Sequence, residues 1–353
     1  MKINNNKLFT LDKFIEDSLY NKKYGYYMKK NPFGKKGDFI TSPDISILFS
    51  EMIAIWIISF WEKLNCPKKF NLIELGAGNG EMMRILVATF NKFPKFQNSC
   101  KINILEKSDL LQGIQKKNIR GKKIKWLNSL NELNDLPCIF IANEFFDALP
   151  IKQFIQKEKK WFERHVDFVN KKKLKYLDLP FDMKKFEKKI KFNISHKQKF
   201  VEYSPLATRY LKNILSKVKL NGGGILVIDY GYSDKKMKNT LQAVSGHKYR
   251  DVLNSFRNAD ITYNLNFYLI NKIIGKLGSF FSIITTQKIF LTNLGIMERA
   301  EILSKNMPFS KKIEIYSRIK RLIDKNEMGQ LFKVMCITNY KNKFKLGFLN
   351  DKI

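Results

Sequence analysis

"NLIELGAGNGEMMRIL", residues 71–86, reads as a buried strand, a glycine-rich turn and the start of an apolar helix. Gly76, Gly78 and Gly80 alternate, so the backbone can bend sharply and approach a ligand without Cβ interference. The turn fits neither of the common phosphate-binding fingerprints. A dinucleotide loop needs a third glycine where this chain has Glu81, and a P-loop needs a Lys–Ser/Thr pair that does not follow Gly80. Glu81 would also repel an anion drawn to the helix start by the backbone dipole. The turn is nucleotide-shaped but set against phosphate.

Outward from the turn, strands and helices alternate. The pattern predicts a strand at 70–75, a helix at 80–91, a strand at 101–106, a helix at 108–117, a short strand near 123–127 and a strand at 138–142. Such alternation implies parallel pairing and an α/β, doubly wound sheet. Residues 151–203 carry short β-like runs between charged turns and predict an inserted antiparallel region. The rhythm resumes with a helix at 206–219 and a strand at 224–231. An inserted cap, 232–275, precedes closing strands near 280–291 and 331–338. Residues 8–64 read as helical, broken by the loop "YGYYMKKNPFGKKGDFITSP" (24–43). The expected division is a helical N-terminal region with a lid loop (1–66), a core of 67–231 and 276–353, and the cap.

Ligands of such sheets lie beyond the carboxyl ends of the strands. Those ends read "IELGAG", "ILEKS", "FIANEFFDALP" and "VIDYGY". Glu106, at the tip of the second strand, can accept the hydroxyls of a ribose, and Glu74 adds an acidic wall. A glycine turn, a ribose-binding acid and acidic surroundings suit a nucleoside with positive charge and no phosphate. S-adenosylmethionine, with its sulfonium and ammonium, is such a ligand.

Charge alone identifies no partner. The 353 residues hold 65 Lys and Arg against 32 Asp and Glu, a formal net charge of +33. That excess invites a nucleic-acid reading. Only nine of the basic residues are arginine, however, and the lysines are spread along the chain beside abundant Asn, Ile and Phe. That is the profile of an A/T-rich genome rather than of a phosphate-binding face. Cys66, Cys100, Cys138 and Cys336 are scattered without metal-ligand spacing, so neither a metal site nor a disulfide framework is expected. The most apolar stretch, Met52–Phe60, is too short to span a bilayer. The opening residues resemble neither a signal nor a transit peptide. The expectation is a protein of the bacterial cytoplasm without a membrane span.

A resemblance sharpens this reading. "GDFITSPDISILFSEMIAIW" (37–56), "IELGAGNG" (73–80), "ANEFFDALPIKQF" (142–154), "VEYSP" (201–205), "GGILVIDYGY" (223–232), "TLQAVSGHKYRDVL" (240–253), "ADIT" (259–262), "LTNLGIMERAEIL" (291–303) and "MGQLFKVM" (328–335) occur in order. The chain resembles the MidA family, bacterial counterparts of the mitochondrial complex I assembly arginine methyltransferase. "GDFITSP" and "NEFFDALP" are the most specific of these motifs. The resemblance implies a class I methyltransferase (Rossmann-like) fold with S-adenosylmethionine as cofactor. It also implies symmetric dimethylation of an arginine in a 49-kDa-type subunit of complex I. The chain departs from the family at Asn264 and Asn266, which stand where His and Asp are usual.

Arginine methylation needs groups that hold a charged, delocalised guanidinium and localise its lone pair on one nitrogen. Carboxylates do both through directed, charge-assisted hydrogen bonds. Glu144 is the first candidate, Asp147 the second and Asn143 an amide partner; Asp147 equally suits a turn or helix cap. His247 lies in the cap insertion and could reach substrate. Thr41 and Ser42, with Tyr24, Tyr26 and Tyr27, could close over the cofactor bound at Glu74, Gly76, Gly78, Gly80 and Glu106. Two alternatives remain open, a nucleic-acid methyltransferase and a non-catalytic assembly chaperone. A homodimer is also left open.

Overall fold

The computed structural model describes residues 7–34, 37–120, 123–170 and 173–348. Lys35 and Lys36 of the expected lid loop lie outside the described residues. The chain divides into two compact units. One comprises residues up to 30, 146–211 and 232–276; the other comprises 31–145, 212–231 and 277 onward. The N-terminal region, expected as one piece, is thus shared between them, and the two insertions fall in one unit.

The unit holding the glycine turn is built on a mixed sheet. Its strands are β1 (Phe70–Leu75), β2 (Cys100–Leu105), β3 (Ile124–Leu127), β4 (Cys138–Asn143), β5 (Gly223–Tyr232), β6 (Phe280–Thr286) and β7 (Phe332–Asn339). They lie in the order 3-2-1-4-5-7-6. β1 to β5 pair in parallel, and β7 runs antiparallel to both β5 and β6. Every residue of β1 and β4 is buried, the polar Asn71, Glu74 and Asn143 included, as in a sheet covered on both faces. The strand expected over 280–291 ends at Thr286. There the Thr286 hydroxyl accepts from Ile289 N–H and caps a helix, Gln287–Asn293.

Three helices position the site: α1 (Ile47–Lys63), α2 (Glu81–Phe90) and α3 (Asp109–Asn118). α1 is apolar nearly all round, and a helix of that kind belongs in a core. Phe49, Ile53, Trp56, Ile57 and Phe60 on it are fully buried, and α1 packs against α2. Among the described residues no helix is long and apolar enough to cross a membrane.

The other unit is antiparallel. Lys7–Thr10, Lys160–Asn170, Lys152–Lys157 and Phe200–Tyr203 pair in that order, and Lys173–Pro180 pairs with the long strand. The helix expected from residue 8 therefore starts at Leu11, because Lys7–Thr10 is taken up as a strand against His165–Phe168. A three-stranded sheet, Gln242–Ser245, Lys248–Arg250 and Asp260–Thr262, adds to this unit's β structure.

Candidate active site

At the carboxyl end of β1 the chain enters left-handed backbone three times, at Gly76 (φ 66°), Gly78 (φ 54°) and Gly80 (φ 84°). Glycine is the residue suited to those angles, and close neighbours reinforce the choice. A Cβ on Gly76 would lie 2.9 Å from Phe145, and one on Gly78 would lie 3.3 Å from the Phe33 ring. A cleft opens on this turn, lined by Thr41, Glu74, Gly76, Gly78, Asn143 and Glu144 among others.

Two carboxylates at strand ends shape it electrically. Glu74 is buried, and its Oε2 has no hydrogen-bond partner among the described residues. Its carboxyl is pushed up to about 8, first by burial and then by the charge of Glu106. Glu106, also buried, accepts from Ser108 N–H (2.9 Å) and Gln115 Nε2 (3.1 Å); burial raises it and these donors oppose the rise. Ser42 Oγ and Asn143 Oδ1 are also buried without a hydrogen-bond partner among the described residues. Two cleft-lining residues, Glu74 and Asn143, thus hold orphaned polar atoms, an arrangement that fits a polar ligand able to donate hydrogen bonds.

Glu81, at the start of α2, is paired rather than free. Arg84 grips Glu81 with two hydrogen bonds, 2.8 and 2.6 Å, so the acid expected to repel phosphate is largely neutralised. The acidic side chains lining the cleft are Glu74, which burial keeps protonated, and Glu144. Asp44 accepts from Thr41 Oγ1 and Asn79 Nδ2, both 2.9 Å, and so ties the "TSPD" turn to the glycine turn.

Glu144 sits just past β4 with φ 50°, a strained angle for a side-chain-bearing residue. Ser42 N–H (3.3 Å) and Asn143 Nδ2 (3.1 Å) donate to its Oε1, and the Tyr230 hydroxyl donates to Oε2 at 2.9 Å. Burial raises its carboxyl, and these donors pull it back. A carboxylate has roughly four acceptor positions. Three are taken here, so the group is held firmly with one position open.

The remaining expected site residues belong to the other unit. Asp147 is buried in the other unit, inside the Phe146–Leu149 turn rather than at a helix start. His247, exposed, is the second residue of a two-residue hairpin turn in which Gly246 and His247 both have positive φ. Tyr26 is fully buried, and Tyr27 donates to Asp260 at 2.7 Å, so both are committed to packing within that unit. Asn266 Oδ1 accepts from Leu269 N–H (2.9 Å) at the start of a helix, a role Asn and Asp fill equally well. Among the described residues no cluster of His, Cys, Asp and Glu could hold a metal.

Glu74 gives a test. Its folded value lies above the unfolded carboxyl value of 4.5, so the native state keeps a proton that the unfolded chain has lost. This contribution to stability is full below about pH 4.5 and is lost as pH rises through about 8. A cationic ligand reverses the preference and expels the proton. Calorimetry in buffers of different ionisation enthalpy should record proton release on S-adenosylmethionine binding at neutral pH. Glu74→Gln should remove that release; an unchanged release would place it on another group.

The strand order, with β7 reversed, and the glycine cleft at the end of β1 are those of a class I S-adenosylmethionine-dependent methyltransferase. Residues 52–284 match the model of a family of S-adenosyl-L-methionine-dependent methyltransferases. The chain belongs to this family, the MidA methyltransferases, and S-adenosylmethionine is its cofactor. It is 29% identical to the mitochondrial protein arginine methyltransferase NDUFAF7 of Xenopus laevis, covering 98% of this chain and 85% of that protein. The Homo sapiens protein of the same name is also 29% identical, with 95% and 81% covered. In structure the chain is similar to a Burkholderia thailandensis protein of the COG1565 superfamily crystallised with S-adenosyl-homocysteine. That likeness has a TM-score of 0.81 at 21% identity, over 98% of this chain and 91% of the other.

Proposed function

We propose that this methyltransferase modifies an arginine of a protein, and that its client is a 49-kDa-type subunit of respiratory complex I, symmetrically dimethylated in the cytoplasm before assembly. The relatives at 29% identity carry the name protein arginine methyltransferase, and the site chemistry agrees with that substrate. The observation that carries the reading is Glu144, fixed by three donors with one acceptor position left at the cleft.

S-adenosylmethionine, when bound, supplies an electrophilic methyl group on a positively charged sulfur. The chain must hold the guanidinium, which stays charged at any ordinary pH, and bias its electrons toward one nitrogen. Glu144 Oε2 and Asn143 Oδ1 are two acceptors suited to guanidinium N–H groups. Asn143 Nδ2 already donates to Glu144, so its oxygen is turned away from that carboxylate. Each charge-assisted bond is worth roughly 1.5–3 kcal/mol. Holding nucleophile and electrophile in line can remove up to about 7–11 kcal/mol of the barrier.

The test is labelled-methyl transfer from S-adenosylmethionine into a cell extract, followed by mass spectrometry of the labelled species. Dimethylarginine in one complex I subunit is the expected product. Label in RNA or DNA would instead give the charge of +33 a function and overturn the protein reading.

A further inference from the structure

Gln115 lies on α3, four residues after Leu111 on its inward face, and is fully buried. Its neighbours allow its amide one orientation. Trp126 Nε1 lies 2.9 Å from Gln115 Oε1, and an indole nitrogen can only donate, so the amide oxygen must face it. Nε2 then faces the site, 2.9 Å from the carbonyl oxygen of Gly78 and 3.1 Å from Glu106 Oε2. Both are acceptors, and the amide has two hydrogens to give. The contact needs the helix close to the turn. A Cβ on Gly80 would lie 3.3 Å from Gln115 Cα, so the third glycine of the turn is what admits α3.

We infer that Gln115 is a positioning residue for cofactor recognition: it bolts the Gly78 carbonyl to Glu106 and so holds that carboxylate where it meets the ribose hydroxyls. Trp126 acts one step further out, by fixing which end of the amide faces inward. Backbone N–H groups of Ser108 and Lys107 also serve Glu106, yet both belong to its own loop. Gln115 alone among these donors connects the carboxylate to the glycine turn. With the link intact, adenosine cradle and ribose acceptor move as one body. Without it, Glu106 can turn toward its own loop, and the hydroxyls lose a preformed acceptor. The inference rests on Glu106 as the ribose acceptor, and the experiment separates the two claims.

Full-length chain is titrated with S-adenosylhomocysteine and with its 2′,3′-dideoxy counterpart. Gln115→Met keeps the volume and removes both donors. It should weaken the parent ligand at least about tenfold, the loss of one strong hydrogen bond, and the dideoxy ligand no more than about twofold. Trp126→Phe, which leaves Gln115 in place but frees its amide to flip, should show the same selectivity at smaller size. It supplies the reading if Gln115→Met does not fold. Equal losses for the two ligands in these variants would make Gln115 a packing residue and overturn the proposal. Glu106→Ala is the control on the underlying reading. If it too weakens both ligands equally, the ribose assignment of Glu106 fails, and the role of Gln115 fails with it.

Discussion

Gly78→Val should weaken S-adenosylhomocysteine binding by at least about 100-fold while the protein still folds. Two costs combine. A β-branched residue is held at φ 54°, where strain of about 1–3 kcal/mol is usual. Its Cβ would also stand 3.3–3.4 Å from three atoms of the Phe33 ring, and its methyl groups would reach further, toward the ring or into the cleft. The second cost falls on the ligand, since the cleft is lined by both Phe33 and Gly78. Gly78→Ala separates the terms, because it carries the backbone strain without the branch. It should lose roughly tenfold, about 1.4 kcal/mol. Near-normal affinity in the valine variant, measured by calorimetry with a melting temperature as fold control, would remove the cofactor from this cleft.

What was legible in the sequence is what is local. β1, the glycine turn and α2 are set by an apolar run, three small residues and helical periodicity within a stretch of 71–86, and the structure has them there. The place of Glu106 just past β2 is legible, because a strand tip in a parallel sheet is a defined place. The misreadings are of two kinds. Lys7–Thr10 has no signal of its own against a first helical turn; it is a strand because a distant edge, His165–Phe168, accepts it. Thr286 did carry a signal, a capping residue before "QKIF", but the apolar run around it masked that cue.

The same distinction runs through the site. Tyr230 reaches Glu144 across 86 positions, and Gln115 reaches Gly78 across 37, so no spacing rule could pair them. For Gln115 a faint cue existed, a polar residue on the inward face of a helix at i+4 from Leu111. Glu81 shows the opposite error. Its charge at the helix start is offset by Arg84 three residues on, which the i, i+3 geometry of a helix places beside it.

Glu144→Gln should lower methyl transfer at least about 100-fold and leave S-adenosylhomocysteine affinity within a few-fold. The structure makes this substitution unusually clean. A glutamine oxygen in place of Oε1 still accepts from Ser42 N–H and Asn143 Nδ2, while its NH2 can donate to the Tyr230 hydroxyl, which both donates and accepts. The local network therefore survives, and with it the strained backbone at φ 50°. What changes is the open position at the cleft, where an acceptor becomes a donor. A guanidinium N–H would then meet another N–H, and the negative charge that steadies it is gone. Losing about 3 kcal/mol at the transition state gives the stated factor. Tyr230→Phe is the companion variant. It removes a donor from Oε2 without touching the charge, so burial raises the carboxyl further and the rise of activity with pH should move to higher pH. Single-turnover methylation of the client, with cofactor affinity measured alongside, reads both variants. A glutamine enzyme that keeps nearly full turnover would take the guanidinium away from Glu144, and Asn143, whose buried Oδ1 has no partner among the described residues, would be the next acceptor to test.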